Sequence, residues 1–560
     1  VLEGGVPEGM FVLSGREITV PPRGKAGVKV AVDTRLGDVE GVHSAWIVAE
    51  GGTERITTPV AVDREAESYD LAVKALDDKG VVTDSNYTLL WGVDAYRFRP
   101  IWTMGGAGKV RVRRGTYHVD TVVSTYLPDG LIASRKVVRP SVSVTGDTAV
   151  VLDSGAARQI RVEFARAGVR SRAVGAGYAR RMPWGNLYAG IIGDSLDRIY
   201  TAQVGGPVST VVADIGGGFY VPDAAGGVEG STVTYNLAWF QAGELPTGFS
   251  RRVEDEPLAR VESTYRQVQN KRSGTKLWLV SDPVFRSGSG YGLPVALPLT
   301  RTEFYDPRAG DWAVEFQQWR VVRKQIVTDF VSGDEKVRHE PGQVYREDWN
   351  SAVIGPGLPR NGLAVRINDT ISLGVPLFTD SPRRVGSSTI ESAATALYRD
   401  GQLVGQTNQP GQGVFEVPEQ SASYRLETTA SRAAPLSPRV SAVWSFTSAR
   451  PQARKGGVQL PLLAVRFGPE GLDSRNHATG RSVRTTVQVG RQPDLPAVPI
   501  VQTTVSASFD DGTTWVDVPV VDGVVTVTHP RGTRFVSLRA KAVDAQGSAV
   551  EQTVVRAYGT

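Results

Sequence analysis

The sequence predicts an all-β protein of tandem β-sandwich domains, and three observations carry that prediction. Short apolar runs alternate with polar residues at period two along most of the 560 residues, the pattern of half-buried antiparallel strands. The 62 Gly and 33 Pro residues fall between those runs, where turns need a positive φ or a fixed one. No long amphipathic helix pattern interrupts them, which excludes the α/β enzyme folds.

Composition narrows the class further. The chain is 41% hydrophobic and 22% charged, ordinary values for a folded protein. At roughly 150 residues per domain the length corresponds to about four domains. Its 63 basic and 58 acidic residues leave a net charge of +5. No Lys/Arg block with interleaved aromatics stands out, so no nucleic-acid partner is expected. With zero Cys there is neither a disulfide framework nor a thiolate metal site. No run approaches the ~20 apolar residues of a membrane span. The chain opens Val1-Leu2-Glu3-Gly4-Gly5, without an initiator Met or a signal peptide, which predicts a cleaved or excised segment.

The elements follow in order. Residues 1–66 alternate through Glu17-Ile18-Thr19-Val20, Val28-Lys29-Val30-Ala31-Val32, Ser44-Ala45-Trp46-Ile47-Val48 and Pro59-Val60-Ala61-Val62, enough strands for a small sandwich. Residues 67–154 open on a strand ending in Asp77-Asp78-Lys79-Gly80, then read strand, tight turn, strand through Lys109 to Val123. They look like a second, transthyretin-like (carboxypeptidase-regulatory-like) sandwich. Residues 155–280 are less regular but strand-rich. Within them, residues 258–270 carry weak helical spacing (Leu258, Val261, Tyr265, Val268) and read as a short helix or an extended strand. Residues 281–450 hold strands such as Trp312-Ala313-Val314-Glu315-Phe316 among long Gly/Pro loops, a sandwich or jelly-roll-like unit. Ala449 to Gly457 reads as a linker or exposed loop. Residues 451–560 alternate cleanly to the end.

Several motifs invite a catalytic reading and fail on spacing or context. Gly193-Asp194-Ser195-Leu196 spells an esterase signature, but the βα context is missing and Asp473-Ser474-Arg475-Asn476-His477 spaces its base one residue too long. Ser195 is therefore expected in a turn. Ser273-Gly274-Thr275-Lys276 fits Ser-x-x-Lys without its companion motifs. Gly105-Gly106-Ala107-Gly108-Lys109 has the wrong glycine spacing for a phosphate loop, and Val110 follows the Lys. Glu254-Asp255-Glu256 is read as a solvated charge run rather than a calcium site. A two-carboxylate glycosidase pair is assembled by the fold, and nothing in the sequence selects one. Among the 11 Trp residues, Trp312 and Trp319 could serve as carbohydrate platforms, but core packing is the stronger expectation. No catalytic residue, cofactor or metal centre is predicted.

The most specific local pattern is Ser508-Phe509-Asp510-Asp511-Gly512-Thr513-Thr514-Trp515. It fits Ser-x-Asp-x-Gly-x-Thr-Trp, the Asp-box of sialidases and several secreted β-proteins. Its expected role is structural. Asp510 accepts bonds from turn amides, Ser508 completes the motif, Gly512 permits the reversal and Trp515 packs across the hairpin. One copy does not make a propeller.

Longer phrases carry a family resemblance. Val505 to Trp515, Val536-Ser537-Leu538-Arg539-Ala540-Lys541-Ala542-Val543-Asp544 and Thr553-Val554-Val555-Arg556-Ala557-Tyr558 resemble the C-terminal domain of large secreted subtilisin-like serine peptidases of actinobacterial type. Leu397-Tyr398-Arg399-Asp400-Gly401 and Ser441-Ala442-Val443-Trp444-Ser445-Phe446 fit as well. Ile18 to Arg35 and Thr58 to Val62 are similar to the fibronectin-type-III-like domain that follows the catalytic domain there. The family's Asp, His and Gly-Thr-Ser motifs are absent, so no catalytic residue carries over. The resemblance implies a secreted, extracellular, non-catalytic accessory region. Its implied partner is a subtilisin-like catalytic domain in the same or a cleaved chain, with protein substrate or a cell-surface polymer as further ligands. The alternative is a carbohydrate-binding or adhesive module.

Overall fold

The computed structural model describes residues 2–3, 5–37, 40–282, 288–333, 336–358, 363–381, 384–452 and 457–560. Their strands form nine sheets, and the protein is all-β. Three 3-10 turns, Ser154–Ala156, Leu196–Arg198 and Pro307–Ala309, are the only helical geometry among the described residues. The ambiguous 258–270 region contains the strand Ala259–Tyr265, whose Val261, Ser263 and Tyr265 alternate inward. Period two wins there because an aromatic and a β-branched residue both meet an opposing sheet. Part of the Ala449–Gly457 linker, residues 453–456, lies outside the described residues.

The first unit is small. A hairpin of Gly41–Gly51 and Glu54–Arg64 carries Leu2–Glu3 on its edge. With the ribbon Phe11–Leu13/Val30–Val32 it closes over Met10, Phe11 and Ala45. Next, the three-stranded sheet of Thr148–Asp153, Ser68–Leu76 and Ala107–Arg113 faces a larger sheet across Leu71, Val73, Leu90, Val119 and Val144.

That larger sheet runs past residue 154. Its strands Phe98–Ile101, Asn86–Gly92, Gly115–Tyr126 and Ile132–Val144 are continued by Ile199–Gln203, Arg158–Phe164 and Phe249–Val253. The junction is a parallel pairing with Ser134 opposite Ile199. A second seven-stranded sheet, spanning Arg170–Met182 to Val344–Trp349, lies against it. Val174, Ile215, Phe219 and Leu237 meet Ile160 and Val253 there. The opposite face of this middle sheet packs on a five-stranded sheet. Ala238, Val261 and Tyr265 touch Trp278, Trp312 and Phe316, the last three from Ser273–Ser281 and Trp312–Val322. Residues 68–388 thus hold four sheets, each packed on the next.

The middle layer explains glycines that lie in strands rather than turns. A Cβ on Gly175 would sit 2.6 Å from the Tyr291 hydroxyl oxygen, and one on Gly218 would sit 2.8 Å from Leu293 Cγ. Both glycines lie under side chains of the strand Gly288–Val295, Tyr291 and Leu293, which fill the space a Cβ would take.

The C-terminal part is one large sandwich. An eight-stranded sheet joins Gln402–Thr407, Ser392–Arg399, Ala422–Ser431 and Arg439–Ser448 to Ala549–Gly559, Phe535–Asp544, Ile500–Ser508 and Val516–Val518. The seam pairs Val440 with Val554 and Ser445 with Ala549, so this sheet crosses residue 450. Two smaller sheets cover its inner face over a core that includes Leu397, Leu426, Val465, Val536 and Tyr558. Trp444 lies in the same core, its Nε1 donating to the Leu463 carbonyl at 2.6 Å.

The glycine contact gives the first prediction. Gly218→Val should destabilise the chain by about 1–3 kcal/mol through overpacking, read as a lower urea midpoint at unchanged slope. An unchanged midpoint would show that the two sheets do not approach as described.

Candidate functional site

The Asp-box hairpin is closed by the local bonds its residue types allow. Ser508 Oγ donates to Asp510 Oδ1 at 2.8 Å and accepts from the Gly512 amide at 2.8 Å. Asp510 Oδ1 also accepts the amides of Thr513 and Thr514, at 3.1 and 2.9 Å, and Oδ2 accepts the Thr514 hydroxyl at 2.6 Å. These donors, Thr514 first, hold the Asp510 carboxyl at about 2. Gly512 takes φ +89°, a region open to glycine. Trp515 Nε1 donates to the Gly512 carbonyl at 3.0 Å, and Arg539 lies 4.5 Å over its ring. Arg556 clamps Asp511 through two bonds of 2.9 and 2.6 Å. The carboxylate of Asp510 is thereby occupied by internal donors, which suits turn closure rather than reaction chemistry.

The motifs with catalytic spellings are placed apart or tied down. Ser195 caps the 3-10 turn Leu196–Arg198 by accepting from the Asp197 amide. His477 belongs to the Asp473 turn, where Asp473 Oδ1 accepts the amides of Arg475 and His477. Ser273 and Lys276 share one strand at an odd spacing, so they point to opposite faces. At Gly105-Gly106 the position a phosphate would take is filled by Asp84, which accepts both amides at 2.9 and 2.6 Å. Asp255 is bound by Arg166 and the Tyr235 hydroxyl, and Glu254 by Arg252. Trp312 is fully buried, its Nε1 donating to the Asp306 carbonyl at 3.1 Å. Trp319 is half-buried and donates to Thr275 Oγ1.

Two buried polar clusters were not singled out by sequence reasoning. The first bolts the outer seven-stranded sheet to the middle one. Lys136 Nζ donates to both oxygens of Asp120, at 2.8 and 2.7 Å, and Tyr178 donates to Asp120 Oδ2 at 2.5 Å. Arg180 Nη1 lies 2.7 Å from His118 Nδ1. Because Arg only donates, Nδ1 accepts, and the ring proton sits on Nε2, 2.6 Å from the Tyr178 oxygen. Burial, opposed by Asp120 and aided by Arg180 and Lys136, pushes His118 down to about 3, so the ring is neutral. All five residues are at most 3% exposed. Their signal in the sequence was an ionisable pair two apart on one strand, His118 and Asp120, beside Val119, Val122 and Val123.

The second cluster bolts the middle sheet to the five-stranded one. Lys276 Nζ lies 2.9 Å from Glu347 Oε2 and 3.5 Å from Glu303 Oε2, and 3.9 Å over the Trp349 ring. Tyr265 and Tyr305 both donate to Glu303, and Trp349 Nε1 donates to Glu347 at 2.8 Å. Burial alone would raise Glu347, but Lys276 and Arg384 reverse it and hold the carboxyl at about 2. This is a carboxylate pair the fold assembles. It is neutralised by Lys276 and hydrogen-bonded, with the Glu303 side chain 1% and the Glu347 side chain 14% exposed.

Two predictions follow from these geometries. The Asp510 carboxyl sits below its ordinary 3.8 in the fold, so its stabilising contribution is complete above 3.8 and fades as pH falls through about 2. Asp510→Asn should therefore lower the melting temperature at neutral pH, and the gap from the unsubstituted chain should close in acid. A gap that persists in acid would mean the charge is not what the turn uses. Lys136→Met should cost about 3–5 kcal/mol by stranding a buried carboxylate, measured by urea unfolding. Adding Asp120→Asn should recover part of that loss, and failure to recover any would argue against a direct pair.

No protein-family model and no curated protein matches the chain. Among solved structures it is similar to the Bacillus anthracis TIE protein at 10% identity and a TM-score of 0.14, over 62% of this chain and 67% of that one. It is also similar to a Streptococcal ancillary pilin at 9% identity and a TM-score of 0.11, over 51% of this chain and 99% of that one. Superpositions this loose carry neither fold nor function across.

Proposed function

We propose that the chain is the accessory, non-catalytic β-domain array of a secreted subtilisin-like serine endopeptidase. In this role it stabilises or positions the catalytic domain and binds protein substrate or the cell surface. The phrase-level resemblance from Ile18 to Tyr558, in the family's order, supports the context. The observation that carries the role is the continuity of hydrogen bonding. Pairing of Ser134 with Ile199 and of Val440 with Val554 joins successive units into shared sheets. Units that share sheets hold a fixed relation to each other, which suits presenting something attached to them. The reading places the chain outside the cell. No helix among the described residues is long and apolar enough to cross a membrane.

One observation favours the alternative of a carbohydrate-binding or adhesive module. Trp102 and Tyr87 are 73% and 50% exposed, with ring centroids 6.3 Å apart, a pair open to stacking on a sugar face.

The first reading predicts that the gene's upstream frame encodes a subtilase domain. It further predicts that the isolated chain folds without hydrolysing peptides and leaves a fluorophosphonate probe unreacted. Labelling of Ser195 by that probe would overturn it. Glycan-array binding lost in Trp102→Ala, with no subtilase upstream, would favour the alternative.

A further inference from the structure

A cleft of about 710 Å³ opens where the first hairpin meets the next sheets, within the volume range of sites that hold a ligand segment. Its polar walls are Arg64, Arg97, Arg99, Arg111 and Arg113, against Asp63 and Glu65. Five guanidinium groups face the lining carboxylates Asp63 and Glu65, with Asp70 3.8 Å from Arg111 and Glu40 3.7 Å from Arg113 behind them, so the cleft's surplus positive charge rests on Arg97 and Arg99. Part of that charge is already used. Arg111 is held by Glu65 through bonds of 2.6 and 2.9 Å, Arg64 donates to the Gly37 carbonyl, and Arg113 reaches Glu40 only at 3.7 Å. Among the described residues, Arg97 and Arg99 have no carboxylate partner. Arg99 donates to its neighbour's carbonyl, that of Phe98, at 2.9 Å. At the mouth Tyr96 is 67% exposed, its ring 5.1 Å from Trp184.

The cleft is also bounded by two sheet edges. Phe98–Ile101 ends the seven-stranded sheet and Ala107–Arg113 ends the three-stranded one. The first edge is blunted by Pro100, which has no N–H to give. The second is not. The amide of Arg114 donates to the Glu67 carbonyl and that of Ala75 to Gly106. Antiparallel alternation between these two fixed points turns the main-chain groups of Lys109, Arg111 and Arg113 outward. At the Gly108 end the neighbouring chain closes in, because a Cβ there would lie 2.5 Å from the Trp102 carbonyl oxygen. The open stretch is the one lined by Arg111, Val112 and Arg113.

We propose that this cleft binds an extended, acidic segment of a protein, which adds as a strand beside Arg111–Arg113 while Arg97 and Arg99 take its carboxylates. Main-chain bonds supply affinity in such strand addition, and alternate side chains supply selection. The arginines do double duty. They repel the same basic edge of another copy, and they form charge-assisted, two-pronged bonds with carboxylates. The inference deepens the accessory-array reading by naming the class of polypeptide bound. It does not depend on an attached peptidase, so a missing subtilase domain and a missing peptide complex are separate failures.

The test is fluorescence anisotropy of a labelled octapeptide of alternating Glu and Val, titrated with the full chain. Binding should saturate and weaken as salt rises. A Lys-Val octapeptide should not bind. N-methylation at alternate Glu-Val amides should abolish binding to the unsubstituted chain, since it removes main-chain donors and leaves the charges. The double variant Arg97→Glu/Arg99→Glu should bind at least roughly tenfold more weakly at an unchanged melting temperature. Retained affinity in the N-methylated peptide, equal binding of the Lys-Val peptide, or no effect of the double variant would overturn the proposal. So would binding of a sulfated polysaccharide in the absence of octapeptide binding, which would make the cleft a polyanion site for glycans. If the double variant does not fold, the peptide arms on the unsubstituted chain decide alone.

Discussion

The middle seven-stranded sheet is covered on both faces, and this constraint shapes what surrounds it. A sheet with one wet face can alternate apolar and polar residues freely. Here every inward position must fill space or satisfy its own polar atoms. Gly175 and Gly218 remain bare because the side chains of Tyr291 and Leu293 fill the space a Cβ would take. Ala176 and Ala213, against the outer sheet, and Ala238, against the five-stranded one, are almost completely buried. Charges that enter such a layer must come with partners. One lysine–carboxylate cluster stands at each interface, Lys136 with Asp120 on one side and Lys276 with Glu347 and Glu303 on the other.

These clusters serve specificity more than net stability. An apolar replacement of a buried ion pair is often as stable as the pair itself. What the pair enforces is register, because a one-residue slip turns every side chain to the opposite face. Lys136 pairs across from Val122, two residues from Asp120, and so lies on its face of the sheet. A slip of one residue would leave both charges buried apart. Tyr178 and Arg180 add the same condition between layers, since they reach Asp120 and His118 from the middle sheet. The second cluster repeats the device with Tyr265 and Tyr305 on Glu303.

What was legible in the sequence follows from how far each interaction reaches along the chain. The Asp-box hairpin was readable residue by residue because the bonds within the motif join positions at most four apart, whereas the Arg556 clamp on Asp511, 45 residues away, was not. The strands and the all-β class were readable because period two is a local property. The four-sheet stack was not. Val211–Tyr220 is buried at nine of ten positions, so it lost the alternation that marks a strand with one wet face, and residues 155–280 looked irregular on that account. Sheet partners far apart in sequence, such as Ser134 and Ile199, leave no local trace either. His118 and Asp120 were visible as two polar residues on one strand face, but their partners Tyr178 and Arg180 come from another sheet.

The sheet edges complete the argument. A body assembled from sheets that cross their own domain boundaries must still end somewhere, and each end is a row of unpaired main-chain groups. At the cleft the two ends are treated differently. Pro100 removes a donor from one, whereas Ala107–Arg113 keeps its donors and carries Lys109, Arg111 and Arg113 on its exposed face. If protection alone were at stake, the second edge would need no cavity in front of it and no further arginines across that cavity. Arg97 and Arg99 stand there without acidic partners among the described residues, on the far wall rather than on the edge they would guard. Charge placed across a gap from a free edge attracts what enters the gap, and that arrangement belongs to recognition rather than to protection.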